Sequence, residues 1–358
     1  MPSIAYFVSP HGFGHAARSA AVLNALFARR PELETHLFTT VPPWFWEDSL
    51  DGPFEQHSVV TDVGLVQKSP TEEDPLATVE RLADSRPFEE RSAPLAAELE
   101  RLECNVAVCD ISPLGVAAAR RAGVPSVLVE NFTWDWIYRS YLDAAPGLEE
   151  VAEEMAELYG GVELHVQARP VCRPVEGAKT VAPVFRRRRS ADEEVRDALG
   201  LPAGGRYALV TMGGIAWRFE GARGLAGPEG LTFVVFAGTD ELERHGKVIL
   251  LPERSPIYLP DLIAASELVV GKLGYSTVAE AWAAGCRYLY VPRPRFPESP
   301  LLAAFVDRHL PSRETELDGF SQGKWTARIG DLLERPRPAP RKDNGADRIS
   351  ELIAQRFF

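Results

Sequence analysis

A chain of 358 residues, at roughly 150 per domain, has room for two domains with cores of their own, which excludes a small disulfide-stapled scaffold. Its 39 Lys and Arg against 51 Asp and Glu leave a net charge of −12, which excludes a non-specific nucleic-acid or anionic-lipid binder and requires any bound phosphate to be held by local geometry. A 45% hydrophobic and 25% charged composition, with 28 Gly and 29 Pro dispersed along the chain, excludes wholesale disorder.

Short apolar runs alternate with helical patterns, which predicts an α/β protein with parallel sheets covered on both faces. Ile4 to Val8 reads as a buried strand, Ser9 to Gly14 as a glycine-bearing turn, and Ala16, Ala20, Leu23 and Phe27 as the core face of a helix ending near Arg29. Thr35 to Thr40 follows as a second strand, with further strands predicted at 59–61, 106–110, 126–130 and near Leu164 to Val166. Strands are next expected at Tyr207 to Met212, Thr232 to Ala237, Val248 to Leu251, Glu267 to Val270 and Tyr288 to Val291, with helices at 261–265, 276–284 and 299–309. The run Arg186 to Arg189 reads as a solvated linker face. Glu334 to Pro340 reads as a stiff Pro-rich linker and Ala346 to Phe358 as a final amphipathic helix. The expected domains are 1–183 and 184–340, with the helix at 345–358 packing back on the first.

Cys104, Cys109, Cys172 and Cys286 form no Cys-x-x-Cys pair and are expected to be reduced core residues. No apolar stretch reaches the ~18 to 20 residues of a membrane span, and the N-terminus enters its first strand without a basic leader, which predicts a cytoplasmic protein.

The candidate chemistry lies where predicted strands end. The turn carrying His11, Gly12, Phe13, Gly14 and His15 joins the first strand to its helix, at the carboxyl edge where parallel sheets bind ligands. Gly12 to Ala17 formally satisfies G-x-G-x-x-A, but the second strand ends in Thr39-Thr40 without the acidic ribose contact that a dinucleotide site needs. His11 and His15 lack a third ligand nearby, so His15 reads either as a turn residue or as a base. Asp110 ends another apolar run and either caps the next helix or faces the same edge. Trp134 and Asp135, in the aromatic stretch after the strand at 126–130, and the cluster Trp44 to Trp46 are read as aromatic loops over that edge.

In the second half, Gly271, Lys272, Gly274, Tyr275, Ser276 and Thr277 read as strand, turn and helix start, with Ser276 or Thr277 as the expected N-cap. The amides of such a helix start suit a diphosphate, and Glu280, one turn further, suits a ribose diol. Gly213 and Gly214 are a second point of close approach, and Arg293 and Glu298 follow another strand. No Asp-x-Asp pair and no His/Cys cluster offers a metal site.

On the stretches His11-Gly-Phe-Gly-His-Ala-Ala-Arg18, Asn131-Phe-Thr-Trp-Asp-Trp-Ile-Tyr138 and Gly271 to Glu280 with Arg293 to Glu298, the chain resembles the GT-B glycosyltransferases, in particular the glycosyltransferase-like amino-terminal region of plant L-arabinokinases and its bacterial stand-alone relatives. The resemblance implies two Rossmann-like domains facing each other across a cleft, a nucleotide-sugar co-substrate held mainly by the second, and an acceptor held by the first. It implies His15 as base and Asp110 as its orienting carboxylate. It places Gly213, Gly214, Lys272, Gly274, Tyr275, Ser276, Thr277, Glu280, Arg293 and Glu298 at the donor, and His11, Phe13, Trp134 and Asp135 at the acceptor. The short span from Gly214 to the next strand departs from the family's long helix, and the sugar-kinase phosphate loop is missing, so arabinose phosphorylation is not implied. The expected activity is an inverting, metal-independent glycosyl transfer without a cofactor. A nucleotide-sugar epimerase and a non-catalytic sugar-nucleotide binder stand as alternatives.

Overall fold

The computed structural model describes residues 1–69, 72–213 and 221–358. Backbone contacts divide the chain into two units. One contains Met1–Val184, Phe296–Glu298 and Asp343–Phe358, and the other Phe185–Arg295 and Ser299–Lys342.

The first unit is centred on three strands, Ser3–Val8, Val106–Asp110 and Ser126–Glu130, mostly apolar and buried throughout as the central strands of a parallel sheet require. It runs β1 (Ser3–Val8), α1 (Phe13–Arg29), β2 (Glu34–Phe38), α2 (Pro43–Ser49), β3 (Glu55–His57), a small antiparallel pair β4 (Gln67–Ser69) and β5 (Glu72–Glu73), α3 (Pro75–Ala83) and α4 (Phe88–Arg101). β6 (Val106–Asp110), α5 (Pro113–Ala122), β7 (Ser126–Glu130), α6 (Trp134–Arg139), α7 (Glu149–Gly160), β8 (Leu164–Ala168) and β9 (Lys179–Val181) complete it. The sheet is parallel throughout, in the order β3-β2-β1-β6-β7-β8-β9. The strand order reverses beside β1, so the carboxyl ends of β1 and β6 form the crevice at which doubly wound sheets bind ligands.

The second unit runs α8 (Asp192–Ala198), β10 (Arg206–Thr211), β11 (Leu231–Val235), β12 (Glu243–His245), β13 (Val248–Leu250), α9 (Leu259–Ala265), β14 (Leu268–Lys272) and α10 (Tyr275–Ala284). β15 (Arg287–Val291), α11 (Ser299–His309), β16 (Ser312–Glu314), α12 (Leu317–Ser321) and α13 (Gly330–Glu334) follow. Its sheet, β12-β13-β11-β10-β14-β15-β16, is parallel except for the antiparallel β12. Its reversal lies beside β10 and β14, which pack so closely that a Cβ at Gly271 would collide with the Thr211 carbonyl. The last helix, α14 (Gly345–Phe357), rejoins the first unit, where Arg29 Nε donates to Ser350 Oγ at 2.9 Å.

Several expectations are corrected. The strand expected at 59–61 lies at Glu55–His57, and Thr61 instead ties the following loop to β1 by donating from Oγ1 to the Val8 carbonyl at 2.9 Å. Trp44 to Trp46 belong to α2, not to a loop, because Pro43 supplies a ready helix start. Arg186 is no solvated linker residue: it is buried, and its Nε donates to Glu280 Oε1 at 2.9 Å, whereas Arg187, Arg188 and Arg189 are exposed. The Pro-rich segment is a strap on the second unit instead of a loose linker. Arg337 Nη1 donates to the Ser266 carbonyl at 2.8 Å and Arg341 Nη1 to the Trp282 carbonyl at 2.5 Å, satisfying carbonyls at the ends of α9 and α10.

Candidate active site

At the switch point of the first sheet, Val8 and Asp110 lie side by side in register as the last residues of β1 and β6. The chain leaves β1 through Ser9 to Gly12 and enters α1 at Phe13. Gly12 takes φ 72°, a conformation free of Cβ strain for glycine, and no side chain caps the helix. The turn is pinned from below, because Ser9 Oγ donates to Asp62 Oδ1 at 2.9 Å. Beyond Asp110, Ile111 is held at φ 52°, a costly conformation for a β-branched residue. Tyr159 Oη secures it by donating to the Ile111 carbonyl at 2.7 Å, and Ser112 caps α5 through the Gly115 amide at 2.9 Å. Capping is therefore the work of Ser112, which leaves the Asp110 carboxylate for other partners.

Those partners come from α1. His15 Nδ1 lies 2.7 Å from Asp110 Oδ1, and both side chains are buried. An ionised carboxylate only accepts, so the contact places the imidazole proton on Nδ1 and leaves Nε2 with a lone pair. Arg18, one turn further on the same helix face, donates from Nε to Asp110 Oδ2 at 2.7 Å and from Nη2 to Oδ1 at 2.6 Å. Its Nη1 donates to Asn131 Oδ1 at 2.6 Å, and Asn131 Nδ2 donates to Glu298 Oε1 at 2.6 Å. The chain His15, Asp110, Arg18, Asn131 and Glu298 is thus one connected network.

Its electrostatics follow from burial and that guanidinium. Burial opposes ionisation of Asp110, but the Arg18 charge, with hydrogen bonds from His15 and Arg18, outweighs it and holds the carboxyl below its ordinary value. Burial lowers the His15 imidazole from its ordinary value, against the opposing pull of Asp110 and with help from the Arg18 charge. The product is a neutral imidazole with one proton-accepting nitrogen, anchored through the other.

The other residues expected in this unit are placed differently. Phe13 stacks on Phe45 of α2 at 5.0 Å. His11 meets Trp134 edge-on at 5.2 Å. Trp134 and Asp135 are fully buried, so Trp134 is a wall behind the His15 ring, 6.1 Å between centroids, instead of a platform open to a sugar. Asp135 Oδ2 lies 3.0 Å from Arg173 Nη2. Glu298, expected at the donor among second-domain residues, is grouped with the first unit through Asn131.

In the second unit, Gly213 and Lys272 lie at the ends of β10 and β14, beside the switch point of that sheet, and a Cβ at Gly213 would sit 3.7 Å from Lys272 Cε. Gly214 lies outside the described residues. The expected hydroxyl cap is corrected: Gly274, with φ −135° and ψ 140°, is the N-cap of α10, and Tyr275, Ser276 and Thr277 form the first turn. No side chain caps this helix start, and the space where a Gly274 Cβ would lie is open. Arg293 is buried, its amide donating to Ser299 Oγ at 2.8 Å. Burial pushes the Glu280 carboxyl above its ordinary value against the pull of Arg186. Glu280 borders a cavity of about 610 Å³ lined also by Phe185, Arg186, Pro260, Ala283 and Arg337, a volume within the range of small-molecule sites.

Arg18, Asn131 and Asp62 were not singled out from the sequence. A signal existed for Arg18, a cation inside the small-residue stripe Ala16, Ala17, Ser19 and Ala20 of a buried helix, where only a paired charge is tolerated. Asp62 sits in an irregular loop and carries no local signature.

No family model matches the chain. Over 332 residues it is 30% identical to the L-arabinokinase of Arabidopsis thaliana, covering 90% of this chain and 31% of that protein, so it spans about a third of its curated relative. Among solved structures it is similar to the glycosyltransferase of kitacinnamycin, with TM-score 0.66 and 17% identity over 100% of both chains. It is also similar to UGT89C1 of Arabidopsis thaliana in complex with UDP, with TM-score 0.62 and 13% identity over 99% of both chains. The MurG of Acinetobacter baumannii follows at TM-score 0.56 and 14% identity over 99% of this chain and 100% of that one. Among the described residues no helix is long and apolar enough to cross a membrane. With two Rossmann-like units, each reversing its strand order beside its first strand, the chain has the GT-B glycosyltransferase fold and resembles the corresponding third of L-arabinokinase.

Proposed function

We propose that this protein is an inverting, metal-independent glycosyltransferase that moves a sugar from a nucleoside-diphosphate sugar to an acceptor hydroxyl or amine. The observation that carries the reading is the buried 2.7 Å contact between His15, in the first turn of α1, and Asp110, the last residue of β6, brought to one switch point. The fold supports it, as do the sugar named in the curated relative and the UDP bound to one of the similar structures.

His15 Nε2 takes the acceptor proton as the acceptor oxygen or nitrogen forms its bond to the anomeric carbon. The bond from that carbon to the diphosphate oxygen breaks on the opposite face, and the diphosphate departs with the electron pair. Asp110 holds the Nδ1 proton and stabilises the imidazolium that forms. The first-turn amides of α10 and the positive end of that helix receive the leaving diphosphate, so charge stabilisation needs no cation. Glu280 keeps acceptor capacity beyond its bond to Arg186, since a carboxylate offers about four lone-pair sites, and reaches the ribose diol. The base contributes about 10²- to 10⁴-fold and the diphosphate site the larger share. Nucleotide sugar and acceptor are the partners; no cofactor is required.

A thermal-shift panel of nucleotide sugars, followed by nucleoside-diphosphate release from the best stabiliser, tests the reading. A donor at 100 times its Kd stabilises by about 2.7 kcal/mol. Stabilisation by a nucleotide sugar with acceptor-dependent release is the expected result. Conversion of donor to an epimer without acceptor, or tight binding without release, contradicts it.

A further inference from the structure

On the sheet of the first unit, β2 and β3 bring His36 and Glu55 opposite each other in register, with His57 two residues further opposite Phe38. His36 Nδ1 lies 3.3 Å from His57 Nε2 and 3.4 Å from Glu55 Oε2, and all three donor atoms fall within 4.8 Å of one another. Among the described residues this is the one such group of His, Cys, Asp and Glu donors. We propose that His36, Glu55 and His57 form a binding site for a single divalent transition-metal ion of the zinc type, separate from the reaction site.

The geometry points to a tetrahedral ion. Ligand atoms placed about 2.0 to 2.1 Å from zinc at tetrahedral angles are about 3.3 to 3.4 Å apart. The His36–His57 and His36–Glu55 separations, 3.3 and 3.4 Å, are that edge length, and the exposed Glu55 side chain is free to bring its carboxylate to the same distance from His57, with all three atoms already within 4.8 Å. Two imidazoles and one carboxylate are a donor set that zinc accepts, with a fourth position left for water or an incoming ligand.

The surroundings hold the ligands in place. Phe38 stacks on the His57 ring at 4.5 Å with an interplanar angle of 11°, which fixes the plane of the imidazole. The other nitrogen, His57 Nδ1, faces Glu98 Oε1 of α4 at 3.7 Å, beyond hydrogen-bond distance but on the side away from the ion. Glu98 is itself gripped by Arg101, with Nη2 2.6 Å from Oε1. His36 is buried, whereas the Glu55 side chain is 62% exposed, so an ion has access from solvent and Glu55 closes over it. Each imidazole ligates through one ring nitrogen and carries its proton on the other, and Glu55 offsets one of the two charges of the ion.

His36 pairs with Ala5 of β1, three residues before the Val8 and Asp110 end, so the site sits about 10 Å back from the carboxyl edge. Its consequence is structural: the ion ties the three-residue edge strand β3 to β2. This inference does not depend on the proposed transfer reaction.

The test uses the full chain, stripped with chelator and desalted, titrated with Co²⁺ and with Zn²⁺ by absorption and calorimetry. One equivalent of Co²⁺ giving the intense visible bands of a tetrahedral site, displaced by Zn²⁺, is expected, with a Zn²⁺-dependent rise in Tm. Glu55→Gln and His57→Gln, both on exposed or half-buried positions that leave the fold intact, should each weaken Zn²⁺ binding at least 10-fold. His245→Gln, at an exposed histidine of the second unit, should leave Zn²⁺ affinity unchanged. Absence of saturable binding overturns the proposal, as does binding that survives both Glu55→Gln and His57→Gln.

Discussion

Arg18 grips both oxygens of Asp110, with Nε 2.7 Å from Oδ2 and Nη2 2.6 Å from Oδ1, so the carboxylate that receives His15 is shared between an imidazole and a guanidinium. A fully buried aspartate with a single imidazole partner would draw a proton onto that imidazole; with Arg18 present, its charge is already matched. Burial lowers the His15 imidazole, and the guanidinium, by matching the Asp110 charge, helps keep it neutral and ready to accept.

Replacing Arg18 by Lys keeps the charge but loses the fork, and replacing it by Ala leaves Asp110 without its principal counter-charge. Arg18→Ala should cost about 3 to 5 kcal/mol in denaturant unfolding, the scale for breaking a buried pair. In Arg18→Lys the acid limb of the kcat/KM profile should move up in pH: burial still lowers the imidazole, but without the fork on both carboxylate oxygens Asp110 pulls more strongly on the His15 proton. An unmoved acid limb in a folded Arg18→Lys protein would separate Arg18 from the base.

Glu280 and Arg186 are both buried and paired at 2.9 Å, so a truncation at Glu280 strands a cation. Glu280→Ala should destabilise the second unit by about 3 to 5 kcal/mol and obscures any binding effect. Glu280→Gln keeps the packing and should weaken nucleoside-diphosphate affinity, measured by calorimetry, by about 1.5 to 3 kcal/mol. An unchanged Kd removes Glu280 from the donor site.

Asp62 is 2% exposed, and burial pushes its carboxyl up to about 7, against hydrogen bonds from Ser9 and Thr61 and with help from the charge on Asp110. Because the folded value is raised, the folded state binds the extra proton between the ordinary carboxylate value and about 7. The stability this supplies is complete below that window and is lost as pH rises through it, a change of about 4 kcal/mol at about 1.4 kcal/mol per unit. Unfolding titrations from pH 4 to 8 should show the decline in the wild type and a flatter profile in Asp62→Asn. Parallel profiles would contradict the assignment.

Transfer should continue in excess chelator, since the amides of α10 and not a cation receive the diphosphate. The same chelator should abolish the Zn²⁺-dependent rise in Tm that His36, Glu55 and His57 provide. Activity lost to chelator and restored by Mg²⁺ would mean that the leaving group is stabilised by a metal.

Strand and helix identities were legible where a local rule decides them. Val106 to Asp110 is a fully apolar run closed by a carboxylate, and it lies in the sheet beside β1. The cap of α10 was misjudged because Ser276 and Thr277 carry the preferred cap side chains, yet Gly274 turns the chain one residue before Tyr275 and puts both hydroxyls inside the helix. The partners of charged groups were not legible: Arg186 meets Glu280 across 94 residues and Arg18 meets Asn131 across 113, and no local pattern encodes such distances. His15, opening the helix after β1, and Asp110, ending β6, were legible at one sheet edge, but their common anchor on Arg18 emerges only from the packed helix.

The most direct measurement of the central claim is nucleoside-diphosphate release by wild type, His15→Ala, Asp110→Asn and the double variant, at saturating donor and acceptor, with donor Kd taken in parallel. The account predicts a loss in kcat of about 10²- to 10⁴-fold for His15→Ala at unchanged donor Kd, a smaller loss for Asp110→Asn, and a double variant little worse than His15→Ala. Retained turnover in His15→Ala, or fully additive losses in the double variant, would contradict a base held by Asp110.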